Sequence, residues 1–311
     1  MILVTGCAGY VGSQLCYILK KKKINFVGID NLEYSNKKNT IKNYFYKIDI
    51  SSNKIEKLIK KKKINSIIHC AAFSYVNDGE TNKKKYFNNN VNKTKKFIQI
   101  CKKNSIKKFI FLSSSNVYME GKSVFKESNI KKPKNVYGQN KLEIENYLKK
   151  INLNNFIILR LFNIVGLLRK FYVYKFKKKN HQRLFFKIAD KNNFPRLRYY
   201  LIKNKKNYPK RDFIDIYDLI DLILIILNKM KIKKINKTFN VGNGKAISIN
   251  LIAKLFSKQN KKIKFLEPSL ITSGELKSTK ADISKVKKYF NWLPFRKIKI
   301  SILTTLKHGK L

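Results

Sequence analysis

Met1-Ile-Leu-Val-Thr-Gly6-Cys-Ala-Gly9-Tyr-Val-Gly12-Ser13 opens the chain. A short apolar strand beginning at Ile2 runs into three glycines spaced Gly-x-x-Gly-x-x-Gly, and a helix follows. Glycine permits a sharp turn and lets a pyrophosphate approach a backbone that carries no Cβ. The helix N-terminus then offers N–H groups and a partial positive charge to that anion. Gly6, Gly9 and Gly12, with Tyr10 and Val11 between them, are the expected seat of a dinucleotide.

Working outward, residues 20–30, 60–70, 101–112 and 149–159 repeat one pattern: a lysine-rich helix end, a polar turn, then a run of Ile, Val, Leu and Phe. Lysine suits the negative end of a helix dipole, and short apolar runs flanked by helices suit buried parallel strands. Alternating strand and helix units of this length predict an α/β doubly wound (Rossmann) parallel sheet with right-handed crossovers. The pattern fades near residue 165. Residues 1–165 are read as the dinucleotide-binding domain, with part of 211–240 returning to it. Residues 166–311 are read as a smaller C-terminal α+β substrate domain, with helices expected near 216–229, 248–258 and 282–290.

A chain of 311 residues is long enough for one large domain and a smaller one. No apolar run approaches the ~18 residues of a membrane span; the longest, 219–227, is broken by Asp221. A first strand at Ile2 leaves no room for a signal peptide. Cys7, Cys16, Cys70 and Cys101 lack C-x-x-C spacing and read as reduced thiols of a cytoplasmic protein, with no metal site. The net charge of +52 invites a nucleic-acid reading. Only seven of the 70 basic residues are Arg, the side chain favoured for specific phosphate and base contacts. Lys, Asn, Ile, Phe and Tyr are abundant together, as AT-rich codons produce. The charge is read as composition bias, and no specific nucleic-acid partner is expected.

Asp30 ends the second predicted strand, 18 residues past Gly12. A carboxylate there can accept both hydroxyls of the adenosine ribose and repels a 2′-phosphate, which selects NAD over NADP. Asp49 follows the third predicted strand and is placed to meet the adenine amino group. Further along stands Tyr137-Gly-Gln-Asn-Lys141. On a helix these two share a face, and an ammonium beside a phenol favours the phenolate, a general base. Tyr-x-x-x-Lys also occurs at 17/21, 34/38, 118/122, 174/178 and 199/203, so spacing alone does not choose. Only the 137/141 pair opens a helix between two predicted strands, downstream of Ser113-Ser-Ser115 at a strand's carboxyl end, where open α/β sheets bind ligands.

With these pieces the chain resembles the extended short-chain dehydrogenase/reductase family, and within it the NAD-dependent nucleotide-sugar 4-epimerases. The resemblance runs in order through Val4–Ser13, Asp30-Asn31-Leu32, Ile68-His69-Cys-Ala71-Ala72, Tyr86-Phe-Asn-Asn-Asn90-Val91 and Ser113-Ser114-Ser-Asn-Val-Tyr118. It continues through Tyr137-x-x-x-Lys141, Leu159-Arg-Leu-Phe-Asn163-Ile-Val-Gly166, Arg211-Asp212-Phe-Ile, Phe239-Asn240-Val-Gly-Asn-Gly244 and Ala281-Asp282-x-Ser-Lys285. The resemblance implies NAD as cofactor, held by Gly6, Gly9, Tyr10, Val11, Gly12, Asp30, Asn31, Asp49, Ile50, Ala71, Ala72, Asn90, Tyr137 and Lys141. It implies catalysis by Tyr137, Lys141 and Ser114, with Ser115 the second choice for the serine. It implies a UDP-sugar substrate met by Ser114, Asn163, Asn180, His181 and Arg211, and a homodimer. The implied reaction interconverts UDP-glucose and UDP-galactose through a transient 4-keto sugar, redox-neutral over each cycle.

Departures from the pattern bear on substrate more than fold. Thr272-Ser-Gly-Glu275 stands where the family has Arg-Pro-Gly-Asp, and the loop before Arg211 is short. Met119 and Lys93 each replace a usual Gly, and Ser74 replaces a frequent cofactor-contacting Lys. Thr279 stands where residue size admits or excludes an N-acetyl group. UDP-N-acetylglucosamine and UDP-glucuronate thus remain alternative substrates. A 4,6-dehydratase needs an Asp-Glu pair where Ser115-Asn116 stand. A non-catalytic NAD-binding protein would have no use for Ser114, Tyr137 and Lys141 together.

Overall fold

Strand β1 (Ile2–Thr5) lies between β2 (Phe26–Asp30) and β4 (Ser66–His69), parallel to both, in a computed structural model of the chain. Residues 1–119, 121, 123–151, 153–174, 183–190, 195–202, 204–263, 265–270 and 277–310 are described. They form two compact units. The first comprises Met1–Met119, Asn129–Leu161 and Ile220–Phe239; the second comprises Glu120–Ser128, Phe162–Leu219 and Asn240–Leu311.

The first unit carries a seven-stranded sheet. Beyond β2 lies β3 (Phe45–Lys47), and beyond β4 lie β5 (Lys108–Ser114) and the strands Phe156–Leu161 and Lys237–Val241. The chain therefore runs one way from β1 to β3, then restarts on the other side at β4. That reversal is the switch point at which doubly wound sheets bind ligands. The connections are α1 (Tyr10–Lys21), α2 (Lys54–Lys61), the short α3 (Val76–Thr81) and α4 (Lys83–Phe87), α5 (Lys93–Lys103) and α6 (Val136–Lys150). This is the predicted Rossmann architecture.

Burial explains the repeated sequence pattern. β4 and Phe156–Leu161 are buried along their whole length, while α2 buries only Ile55, Leu58 and Ile59 and turns its lysines outward. Lysines occupy the last turns of α1, α2, α5 and α6. The first three of these helices close alike. Lys23, Lys63 and Ser105 adopt φ of 54°, 48° and 52°, and the N–H of the next residue bonds back to Leu19, Ile59 and Cys101. Glycine is usual at such a left-handed closure. Its replacement costs roughly 1–2 kcal/mol each, offset after the second and third turns by Ile64 and Ile106, which enter the core.

The second unit holds a five-stranded sheet ordered Ala246–Ser248, Lys210–Asp215, Ser278–Ala281 and Val124–Phe125, with Asn163–Val165 also paired to Lys210–Asp215. Its core gathers Val165, Phe185, Ile188, Phe213, Ile252, Phe256 and Ile302. Helices Ile249–Gln259 and Ser284–Phe290 stand where the sequence places helices, as does Ile216–Ile232, whose residues from Ile220 on belong to the first unit. Among the described residues no helix is long and apolar enough to cross a membrane, and no group of three His, Cys, Asp or Glu could hold a metal ion.

Candidate active site

The turn from β1 into α1 is built for an anion. Gly6 sits at φ +67°, and a Cβ there would lie 2.7 Å from the Ala71 backbone nitrogen. A Cβ on Gly12 would collide with the Gly6 carbonyl oxygen. Gly9 caps α1 without a side-chain hydrogen bond, and no acidic residue stands in the first turn. The helix thus presents its positive end bare of competing side chains. Around this turn a cleft of about 540 Å³ opens, lined by Gly6, Gly9, Asp30, Asn31, Asp49, Ile50, Ala71 and Ala72 together with Tyr34, Phe73 and Asn89. Tyr10, Val11 and Gly12 lie on the first turn of α1 behind it.

Asp30 is more occupied than its sequence position implies. Its Oδ2 accepts the Ala8 N–H at 3.0 Å, and its Oδ1 accepts the Leu32 N–H and the Ser35 hydroxyl, both at 2.8 Å. A carboxylate offers about four acceptor positions. Asp30 keeps one of these positions over in this arrangement. Its charge still opposes a 2′-phosphate. Asn90 is buried and spends its amide on Phe73, accepting that residue's N–H at 2.8 Å and donating to its carbonyl at 2.9 Å. It shapes the wall after β4 through Phe73.

The chemistry-bearing side chains gather at the carboxyl end of β5. Asn135 accepts the Gly138 N–H at 2.7 Å and starts α6. A Cβ on Gly138 would collide with the Asn116 carbonyl, so the first turn of α6 packs directly on the short turn Ser115–Val117 that follows Ser114. This contact brings Tyr137 and Ser114 to one end of the sheet. β alternation sends neighbouring serines opposite ways. Ser114 Oγ accepts the Asn116 N–H at 3.2 Å, whereas Ser113 donates to Glu145 at 2.6 Å. Lys141 is only 4% exposed; its Nζ donates to the Leu112 carbonyl at 2.7 Å and lies 5.7 Å from the Tyr137 ring centre. Burial pushes its ammonium down to about 8, against the opposing pull of Cys70 and Glu145.

Behind this group is a buried ion pair that the sequence reading missed. Arg160 donates to both oxygens of Glu145, at 2.6 Å from NH2 and 3.0 Å from Nε, and to the Tyr118 hydroxyl at 3.0 Å. Glu145 stands four residues past Lys141 on one helix face, and Arg160 is one of seven arginines inside an apolar strand; both were visible signals. Asn39, 1% exposed, was also missed. It donates to the Ala8 carbonyl at 3.1 Å and steadies the glycine turn.

The second unit holds Asn163 and Arg211. Asn163 donates to the Asp212 carbonyl at 2.9 Å, and Arg211 stands opposite Thr279 in the same sheet. Asp212 is buried and accepts the N–H groups of Asn243, Gly244 and Ala281, which ties the Arg211 strand to both neighbours. Asn180, His181 and residues 272–275 lie outside the described residues.

The first unit is therefore that of a dinucleotide-binding α/β protein with a Tyr–Lys pair and a serine at the carboxyl end of its sheet. The chain belongs to the NAD dependent epimerase/dehydratase family, whose model matches residues 2–242. It is 30% identical to a UDP-glucose 4-epimerase of Dictyostelium discoideum over 94% of this chain and 90% of that one. Its fold is similar to that of a Brucella ovis UDP-glucose 4-epimerase solved with NAD (TM-score 0.88, 22% identity, covering 99% and 97% of the two chains). It is also similar to the UDP-Glc/GlcNAc 4-epimerase of Campylobacter jejuni (TM-score 0.83, 26% identity, 98% and 97%). The cofactor is NAD, and the glycine turn, the uncapped helix start and the cleft fit it.

Proposed function

We propose that this chain is a nucleotide-sugar 4-epimerase interconverting UDP-glucose and UDP-galactose, with Tyr137 as base. The observation that carries the reading is the grouping of Tyr137, buried Lys141 and Ser114 at the end of β5, in the unit that holds the glycine turn. In this reading the first unit holds NAD, and Asn163, Arg211, Asn180 and His181 are the residues assigned to the UDP-sugar.

NAD, when bound, supplies a reversible acceptor for the hydrogen on the sugar carbon. The chain's own groups manage the proton. The Lys141 ammonium favours the Tyr137 phenolate, which takes the proton of the sugar 4-hydroxyl. Ser114 already accepts the Asn116 N–H, so its own O–H is free to donate to the same sugar oxygen. Lys141 spends one N–H on Leu112 and keeps two for cofactor and phenol. A second substrate, a UDP-N-acetylhexosamine, is supported by the small side chain of Thr279 beside Arg211.

Incubating the purified chain with UDP-galactose, UDP-N-acetylglucosamine and UDP-glucuronate, each followed by NMR, tests the proposal. Inversion at C4 of the first is expected; an NAD-loaded protein that converts none of them overturns it.

Lys141 also sets a pH dependence. Its proton leaves as pH rises through about 8, and with it the charge that favours the phenolate. kcat/KM is expected to fall above about pH 8. Lys141→Met should lack that limb and be slower at pH 7. Between about 8 and the ordinary lysine value near 10.4 the unfolded chain holds a proton the native one has lost, so this group makes stability rise with pH there. A thermal scan across the same range separates lost rate from unfolding. A wild-type profile flat to pH 10 contradicts the role given to Lys141.

A further inference from the structure

Asp49 lines the cleft beside Asn31 and Ile50, where the reading above sets the adenine of NAD. Its carboxylate is full. Oδ1 accepts the Ser51 N–H at 2.9 Å and the Ser51 hydroxyl at 2.7 Å. Oδ2 accepts Asn31 Nδ2 at 2.9 Å and the Lys93 ammonium at 2.7 Å. Four donors meet the four positions a carboxylate offers. Burial pushes the Asp49 carboxyl up, but Lys93, Ser51 and Asn31 outweigh it and hold it at about 2. Lys93 reaches this place because a wide helical turn, Asn88–Asn92, joins α4 to α5. That same turn sends Asn90 to Phe73 and Lys93 to Asp49.

We infer that Lys93 converts Asp49 from a reader of the adenine amino group into a strut between the loop after β3 and α5, so that this chain does not select its dinucleotide by the 6-amino group. An amino hydrogen on the base could reach Asp49 only by displacing a neutral amide, a hydroxyl, a backbone N–H or a charged ammonium already bonded there. The ammonium contact is short and charge-assisted, the kind that exchanges least favourably for a neutral donor. The base is left to the apolar walls, Ile48, Ile50 and Ala71. A base with an oxygen at position 6 meets no free carboxylate oxygen, and the Lys93 and Asn31 donors are at hand.

The inference rests on the placement of NAD in this cleft, and its test separates the two. The full chain, freed of carried-over dinucleotide, is titrated calorimetrically with NAD and with nicotinamide hypoxanthine dinucleotide, which carries a 6-oxo group in place of the amino group and a hydrogen on N1, a difference common to wild type and variants. Wild type is expected to bind the two within about threefold of one another. Lys93→Met keeps the aliphatic stem and removes the charge. It frees one Asp49 oxygen to accept the amino N–H and to repel the 6-oxygen, and is expected to prefer NAD by about tenfold or more, as a hydrogen bond to a charged group allows. Lys93→Arg should keep the wild-type ratio. A wild type that already prefers NAD tenfold, or a Lys93→Met variant with an unchanged ratio, overturns the inference while leaving the NAD site standing. Failure of wild type to bind either dinucleotide overturns the placement itself. Circular dichroism of Lys93→Met confirms that its ratio is read on folded protein.

Discussion

Tyr137→Phe is expected to lower kcat by roughly a thousandfold, within the range removed with a general base, while NAD still binds. The variant deletes one oxygen from a half-buried ring at the start of α6. The elements that position it remain: the Asn135 cap, the contact of Gly138 with the turn after Ser114, and the Lys141 bond to the Leu112 carbonyl. Stability should therefore stay within about 1 kcal/mol of wild type. Single-turnover NMR with saturating UDP-galactose, alongside calorimetric NAD binding, separates the two quantities. A variant with wild-type kcat removes Tyr137 as base. One that loses NAD as well assigns the residue to cofactor binding instead.

Gly12→Ala is expected to weaken NAD binding at least a hundredfold and to cost about 2–3 kcal/mol of stability. The added methyl would overlap the Gly6 carbonyl oxygen and come within 3.0 Å of the Cys7 Cα. Both neighbours are backbone, so no side chain can swing aside, and overpacking of this kind costs about 1–3 kcal/mol. Relief requires the turn to move away from α1, which withdraws the N–H groups that meet the pyrophosphate. Urea titration and NAD calorimetry measure the two effects. A variant that binds NAD as wild type does would show that the turn is not the anion's seat.

What could be read in the sequence was local. The glycine spacing, the carboxylate 18 residues beyond and the lysine-ended helices each depend on neighbours within one strand–turn–helix unit, and these set the sheet. The choice of 137/141 among six Tyr-x-x-x-Lys pairs rested on position along the chain; in the folded chain Lys141 is buried with its Nζ 5.7 Å from the Tyr137 ring centre. Interactions between distant segments stayed hidden. Arg160 and Glu145 meet across a helix and a strand. The bond from the Ala8 N–H to Asp30 joins the glycine turn to the end of β2, and no distinctive side chain marks it. Lys93 was visible as an oddity, a lysine in a glycine's place. Its meaning needed the wide turn Asn88–Asn92, which no spacing announces.

The claim that NAD in the first unit serves a Tyr137-driven epimerisation at C4 is tested most directly by NMR of UDP-galactose with the purified chain in D2O. The account predicts UDP-glucose that retains protium at C4, because the hydrogen removed from the sugar is returned to it within one site. Deuterium at C4, or no UDP-glucose from NAD-loaded protein, would contradict it.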